Sequence, residues 1–205
     1  MYIPVYNQLE SREHLLDAMR RYPFATLFGP SRDRLAPLAT HLPLLVSDEG
    51  PWGTLEGHFA LANKHWRLLA GAQAMVVFHG PHAYVSPSYY VDQNTVPTWN
   101  YLAVHAYGQV QILESPEEKQ PYLSRMIAST EPAIEQKWQQ MTASYRRSLL
   151  AGIVVVRMTV DRVEGKAKLG QNRSTADRQS MHAHFKSGSE TERDLAAWME
   201  RLDLL

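Results

Sequence analysis

Tyr101 to Leu113 reads YLAVHAYGQVQIL, and its alternation decides the fold. Leu102, Val104 and Ala106 fall on one side, Tyr101, Ala103, His105 and Tyr107 on the other. That is the two-residue period of a β-strand with one face buried. Just before it, His79 to Tyr101 runs HGPHAYVSPSYYVDQNTVPTWNY, crowding His79, His82, Tyr84, Tyr89, Tyr90 and Trp99 around three prolines and a single charge, Asp92. Aromatic side chains gain most when buried, and amides or hydroxyls buried with them need partners. Apolar walls with a few fixed polar groups are the makeup of a small-molecule pocket. A strand and ordered loop that merely close a core would use the same residues, so composition leaves both readings open.

Further out, the same grammar repeats. Phe24–Phe28 (FATLF) and the apolar run Ala74–Phe78 (AMVVF) read as strands, and Gly80–Pro81 as a turn into a strand over Ala83–Tyr90. Leu35–Val46 (LAPLATHLPLLV) is a longer strand after a charged turn, Ser31–Arg34. Its Pro37 and Pro43 cannot donate to a ladder, which places them at an edge, bulge or bend. Gly53–Ala60 (GTLEGHFA) returns as the second arm of a hairpin, and Ile153–Val160 (IVVVRMTV) rejoins the sheet later.

Helices are marked by caps. Ser11 opens one that buries Leu15, Leu16 and Met19, and Pro23 ends it. Asn63 opens a short one, NKHWRLLAG, that Gly71 stops. Ser115-Pro116-Glu117-Glu118 is a capping box, with Tyr122, Leu123, Met126 and Ile127 on the apolar face. Thr130–Leu150 reads as more helix around Ile134, Trp138 and Met141; Ser174 and Ser189 open two further helices, the last burying Leu195, Met199 and Leu202. Strands joined by short turns, with helices added, describe a mainly β (α+β) protein built on a small six-stranded antiparallel barrel. We expect one domain: barrel over 1–114 and 151–170, a helical insertion at 115–150, and C-terminal helices at 174–205.

Composition removes several function classes. With 205 residues and no cysteine, the chain can bury a core but offers no disulfide, thiolate nucleophile or zinc–thiolate site. Lys and Arg match Asp and Glu at 21 each, whereas a free-standing nucleic-acid binder carries a basic excess. DNA is thus a possible partner that net charge does not support. MYIPVYNQLE is no signal peptide, and no apolar run approaches the ~20 residues that span a bilayer. The expected setting is cytoplasmic, away from membranes.

The residues able to do chemistry form two clusters. His58, then Asn63-Lys64-His65-Trp66-Arg67, opens the inserted helix, where free N–H groups, a lysine and an arginine one turn on suit a phosphate. An ordinary basic turn capping a helix has the same sequence. Lys168-Leu169-Gly170-Gln171-Asn172-Arg173 gathers amides and cations in one turn able to read carbonyl and ring-nitrogen edges. Nine histidines lack any metal-binding spacing, and Ser86 and Ser88 lack a nucleophile-elbow context, so neither a metal site nor a serine nucleophile is expected. Neither a Walker loop nor GxGxxG is present.

Five blocks carry a resemblance: ATHLPLL (39–45), GHFALANKHW (57–66), FHGPHAYVSPSYY (78–90), VPTWNY (96–101) and KLGQNR (168–173). In this order, across nearly the whole chain, they resemble the PaiB-type FMN-binding negative transcriptional regulators, relatives of the pyridoxamine phosphate oxidases. The resemblance implies a flavin-binding split barrel, a homodimer and FMN at its interface. Position by position, it implies that Thr40, His41 and Leu42 face the flavin ring and that His58, Phe59, Ala60, Asn63 and Lys64 hold the ribityl phosphate end. Trp99, Asn100 and Tyr101, with Gln171, Asn172 and Arg173, complete the pocket from the partner subunit. The oxidases place a cation where this chain has ATHLPLL, so the phosphate here falls to Lys64 and Arg67. Their C-terminal arginine pattern is also missing, so their activity is not implied.

The first functional reading is therefore a flavin-binding repressor, acting on DNA directly or through a partner. The alternatives are a flavin-dependent oxidoreductase on a small molecule and a heme-binding or heme-degrading split-barrel protein. No residue stands out as acid, base or nucleophile, so any redox chemistry would come from the flavin itself.

Overall fold

The computed structural model describes residues 1–31, 36–92 and 94–205. The turn expected at Arg32–Arg34 and the start of the long strand at Leu35 lie outside them. Seven strands, β1 (Phe24–Gly29), β2 (Leu38–Pro43), β3 (Leu45–Ser47), β4 (Thr54–Ala60), β5 (Gln73–Val85), β6 (Thr98–Leu113) and β7 (Ile153–Lys168), form one sheet in the order β2-β1-β5-β6-β7-β4-β3. The helices are α1 (Arg12–Arg21), α2 (Trp66–Leu69), α3 (Pro116–Thr130), α4 (Pro132–Gln140), α5 (Ala143–Ala151), α6 (Thr175–Lys186) and α7 (Glu190–Arg201).

The ends of the strand order explain the fold. β2 pairs antiparallel with β1 at one edge and β3 pairs antiparallel with β4 at the other. Only Leu44 separates β2 from β3 in sequence, so one stave leaves one edge of the sheet and enters the opposite edge. The seventh strand is thus the second half of the sixth stave, and the single strand expected over Leu35–Val46 breaks at Leu44. Pro43, the last residue of β2, lacks the N–H that would continue the ladder. Gly57 of β4 lies beneath the bend: a Cβ there would sit 2.7 Å from Leu44 Cδ2 and 2.8 Å from Leu42 Cδ1. The fold is the expected split β-barrel with added helices.

Two strand limits differ from expectation. The turn at Gly80–Pro81 does not form, because β5 runs unbroken from Gln73 to Val85 and a 3₁₀ turn follows at Pro87–Tyr89. Gly80 is there for close packing: a Cβ would lie 2.7 Å from the Cβ of Leu102 on β6. Pro81 is tolerated because β1, with six residues, cannot pair along all thirteen of β5. β7 also runs eight residues beyond Val160, to Lys168.

The chain divides into two compact units, to which β5, β6 and β7 each contribute residues. The unit formed by Pro23–Val77 and Ala106–Val163 holds the closing stave and the inserted helices. Its helical core joins Tyr122 and Leu123 of α3, Trp138 of α4 and Leu150 of α5 to Leu113 and Val155. The Ser115 capping box forms as the sequence demands. The helical stretch expected over Thr130–Leu150 forms as two helices: proline at 132 disfavours helical backbone at Glu131 (φ −149°), which parts α4 from α3, and Thr142 caps α5 anew.

The other unit comprises Met1–Tyr22, Phe78–His105 and Glu164–Leu205. Ser11, Ser174 and Ser189 cap α1, α6 and α7 through their side chains. Leu15, Leu16 and Met19 are buried, as are Leu195, Trp198 and Met199. Leu202, expected in that core, is half-exposed beyond the end of α7. Trp198 donates to the Tyr22 hydroxyl at 3.0 Å, and Tyr22 donates to Asp194 at 3.3 Å. Burial first, then the Asp194 carboxylate, push the Tyr22 phenol up to about 12.

Candidate functional site

In the first of these units a hydrogen-bond relay lines the closing stave. Asn63 Nδ2 donates to Thr40 Oγ1 at 3.4 Å, and Thr40 Oγ1 lies 2.9 Å from His65 Nδ1. A hydroxyl that accepts from Asn63 can still either donate to Nδ1 or accept from it, so this bond leaves the His65 proton free to sit on either ring nitrogen. The His65 Nε2 is buried and has no hydrogen-bond partner. It lies against Gly29, where a Cβ would come within 2.9 Å of it. Burial lowers the His65 pKa, so the ring is neutral at pH 7. Thr40 was picked out by its block; His65 was seen only as part of a helix start, and its role shows only when β2 is placed beside it.

Asn63 does not open a helix. Its Oδ1 accepts from His65 N–H at 3.1 Å, and α2, only four residues long, begins at Trp66. The helix-dipole part of the phosphate reading therefore goes, since one turn of helix sums few peptide dipoles. Charge remains. Lys64 and Arg67 are exposed; Lys64 Nζ reaches the Leu61 carbonyl at 3.3 Å, and the Arg67 guanidinium lies 5.2 Å from the Trp66 ring centre.

The other positions are placed as follows. His41 is exposed, with Nδ1 2.9 Å from Thr26 Oγ1 and its ring stacked on Phe24 at 6.3 Å. Leu42 and Phe59 are core residues at 3% and 2% exposure, while Ala60 is exposed. His58 Nδ1 lies 2.8 Å from the hydroxyl of Tyr122, and burial lowers the His58 pKa while raising that of Tyr122. An open cleft of about 540 Å³ is lined by Phe28, Gly29, Gln73, Met75, Tyr107 and Arg162, among others. None of the positions picked from sequence lines it. Tyr107, on the outward half of the alternating strand, was its one legible signal.

In the other unit the KLGQNR turn is largely occupied with itself. Gln171 Oε1 accepts from Leu169 N–H at 2.9 Å and its Nε2 donates to Ala167 O at 2.5 Å. Arg173 donates to Thr95 Oγ1 at 2.5 Å and its guanidinium lies 4.7 Å from the Tyr90 ring centre. Asn100 is buried, donating to Met181 Sδ at 3.2 Å, and Asn172 is exposed. Arg173 and Asn100 thus fasten the 90–101 segment to the chain after β7, while Gln171 closes its own turn. Trp99 stays open and Tyr101 half-exposed, and Lys168, part of the polar cluster but not one of the positions the resemblance implies, donates to Thr98 Oγ1 and to Trp99 O at 2.5 and 2.7 Å.

Each unit taken by itself holds groups that suit part of a flavin mononucleotide: in the first, exposed cations suit its phosphate and a buried ring nitrogen without a partner suits a polar ring atom, and in the other an open tryptophan suits its ring.

Solved structures of flavin proteins share the fold. The FAD and heme binding protein from Mycobacterium smegmatis superposes with a TM-score of 0.64 at 22% identity, covering 80% of this chain and 74% of that one. The flavocytochrome Anf3 from Azotobacter vinelandii gives 0.65 at 12% identity, covering 82% and 73%. Residues 1–162 match the family described as "Putative FMN-binding domain". The protease synthase and sporulation protein PAI 2 of Bacillus subtilis is 35% identical over 180 residues, 86% of this chain and 85% of that protein. An uncharacterized protein of Emericella nidulans is 28% identical over 214 residues, 84% and 85% of the two chains. The chain belongs to this PaiB-type FMN-binding family, and the cofactor of that family is FMN. Among the described residues, no helix is long and apolar enough to cross a membrane.

Proposed function

We propose that the protein is a cytoplasmic FMN-binding homodimer with a negative regulatory role in transcription. The observation that carries the flavin reading is the family match over residues 1–162, joined to exposed Lys64 and Arg67 beside the Thr40–His65 relay. In this reading Lys64 and Arg67 neutralise the phosphate, Asn63 orients Thr40, and the unpartnered His65 Nε2 meets the ring. Trp99 and Tyr101 of a second copy cover the ring from the other side, as the family resemblance implies. When bound, FMN supplies one- and two-electron redox chemistry. The chain contributes binding and orientation, and no side chain of this set is assigned as a proton donor or acceptor.

The regulatory part rests on the Bacillus subtilis relative, whose name ties it to protease synthesis and sporulation. With a formal net charge of zero, the chain neutralises few DNA phosphates, so regulation runs through a partner or through weak, salt-sensitive DNA binding. The absorption spectrum of the protein as purified tests the cofactor. A flavin spectrum supports the reading; a Soret band moves it to the heme-binding alternative. Turnover of a reduced nicotinamide with a flavin-loaded sample would favour the oxidoreductase alternative.

A further inference from the structure

Where β5 and β6 run side by side in the unit holding Trp99, three polar-edged rings face outward together. His82 and Tyr84, two residues apart on β5, approach Trp99 of β6 at 6.3 and 6.1 Å between ring centres. Trp99 and Tyr84 are 53% and 45% exposed. A clustered patch of large exposed aromatics is uncommon on a protein surface and marks a surface that something covers. Tyr84 meets Trp99 edge-on and His82 meets it at a tilt, so neither ring stacks flat on the indole.

A positive charge is anchored to the backbone that carries this ring. Lys168 Nζ donates to Thr98 Oγ1 at 2.5 Å and to the carbonyl of Trp99 itself at 2.7 Å. An ammonium has three N–H donors, so one remains after these two bonds. Lys166, buried to 8% exposure, holds its ammonium 5.2 Å from the Tyr101 ring centre and 5.6 Å from that of Tyr2, and donates to Tyr2 O at 3.1 Å. One ammonium is therefore anchored to the Trp99 main chain and the other lies against the Tyr101 ring of the same strand, and neither has a carboxylate partner among its described hydrogen bonds and ion pairs. Burial, and then the neighbouring Lys166 and Arg173 charges, lower the Lys168 pKa. Incoming negative charge would relieve that repulsion.

We propose that Trp99 and Lys168 form the ring-recognition half of the flavin site: the indole stacks on the isoalloxazine, and the free Lys168 N–H meets its electron-rich pyrimidine edge. This rests on the FMN reading above and adds to it a residue and a role. The ligand class follows from the chemistry. A flat ring is needed for the open indole, and an acceptor-rich edge, able to take negative charge when the ring is reduced, is needed for the lysine. Lys64 then answers for the phosphate, and Lys168 for the ring that FMN and riboflavin share.

The test uses the full-length protein, with FMN and riboflavin titrated by flavin fluorescence and the midpoint potential of the bound flavin measured in parallel. Lys168→Met removes the charge but keeps the stem, Lys168→Arg restores a cation, and Trp99→Ala removes the stacking ring. Lys168→Met is expected to weaken FMN and riboflavin alike, roughly tenfold or more, the scale of one charge-assisted hydrogen bond. It is also expected to shift the midpoint potential negative, because a positive charge no longer favours the reduced ring. Lys168→Arg recovers most of both effects, and Trp99→Ala weakens both ligands and brightens whatever flavin stays bound. Two results overturn the inference while leaving the flavin reading intact: unchanged binding and potential in a folded Lys168→Met protein, or a loss for FMN with none for riboflavin. Failure of the wild-type protein to bind either flavin overturns both, and a change in dimerisation alone on Trp99→Ala would give the aromatic patch to a second copy of the chain instead.

Discussion

Removing Glu56 is expected to cost less stability than removing the two arginines it holds. Glu56 sits on β4 at 6% exposure. Its Oε1 accepts from Arg157 Nε and an Arg157 terminal nitrogen at 2.9 and 2.7 Å, and its Oε2 accepts from Arg125 of α3 at 2.5 Å. The burial is lopsided: the Glu56 side chain is 8% exposed, those of Arg125 and Arg157 50% and 38%. In Glu56→Gln both guanidinium groups turn to water and the amide keeps the shape, which costs about 1–3 kcal/mol, the scale of lost charge-assisted bonds. In Arg125→Met with Arg157→Met the carboxylate stays buried without a partner, which costs about 3–5 kcal/mol. Urea unfolding of the wild type, the two variants and their combination measures this. The triple variant should be more stable than the double one, since it removes the stranded charge. A Glu56→Gln protein less stable than the double arginine variant would refute the reasoning, and would mean that the arginines are the groups that depend on the pair.

Other expectations follow from the same geometry. Lys64→Ala should weaken FMN about ten- to hundredfold and riboflavin far less, because only FMN carries the phosphate dianion; equal losses in fluorescence titrations would place the phosphate elsewhere. His58 and His65 both have pKa values lowered by burial, so the unfolded chain binds more protons than the folded one as pH falls below ~6.5. Stability should therefore be full above that pH and fall on acidification toward the folded pKa values, and the pH slope of urea midpoints should flatten in His58→Gln and His65→Gln. Gly57→Ala drives a methyl into Leu42 and Leu44 and toward Pro43 O at 3.2 Å; calorimetry should show a loss of about 1–3 kcal/mol.

Much of the fold was legible because each element is written locally. The alternation of Tyr101–Leu113 and the serine caps at 11, 115, 174 and 189 are all formed. The break at Leu44 was half visible, since Pro43 forbids a continuous ladder, but that its two sides lie at opposite sheet edges is a non-local fact. Gly80–Pro81 misled because the pair is a turn signal by itself; what makes it a strand is Leu102, distant in sequence. The site followed the same rule. Residue type picked Asn63 and Lys64 and the family resemblance picked Thr40 and Trp99, while the unpartnered His65 nitrogen and the double anchoring of Lys168 emerge only from contacts between segments. Gln171 and Arg173 were legible by residue type, but their bonds within the chain were not, because amides and cations suit ligands and internal bonds equally well.

The measurement that bears most directly on the central claim is equilibrium dialysis of flavin-free protein against FMN, with the bound flavin counted against protein and the dimer checked by sedimentation. The account expects saturation at equimolar FMN in a dimer, and weaker retention of riboflavin. No saturable FMN binding by a folded protein would contradict it.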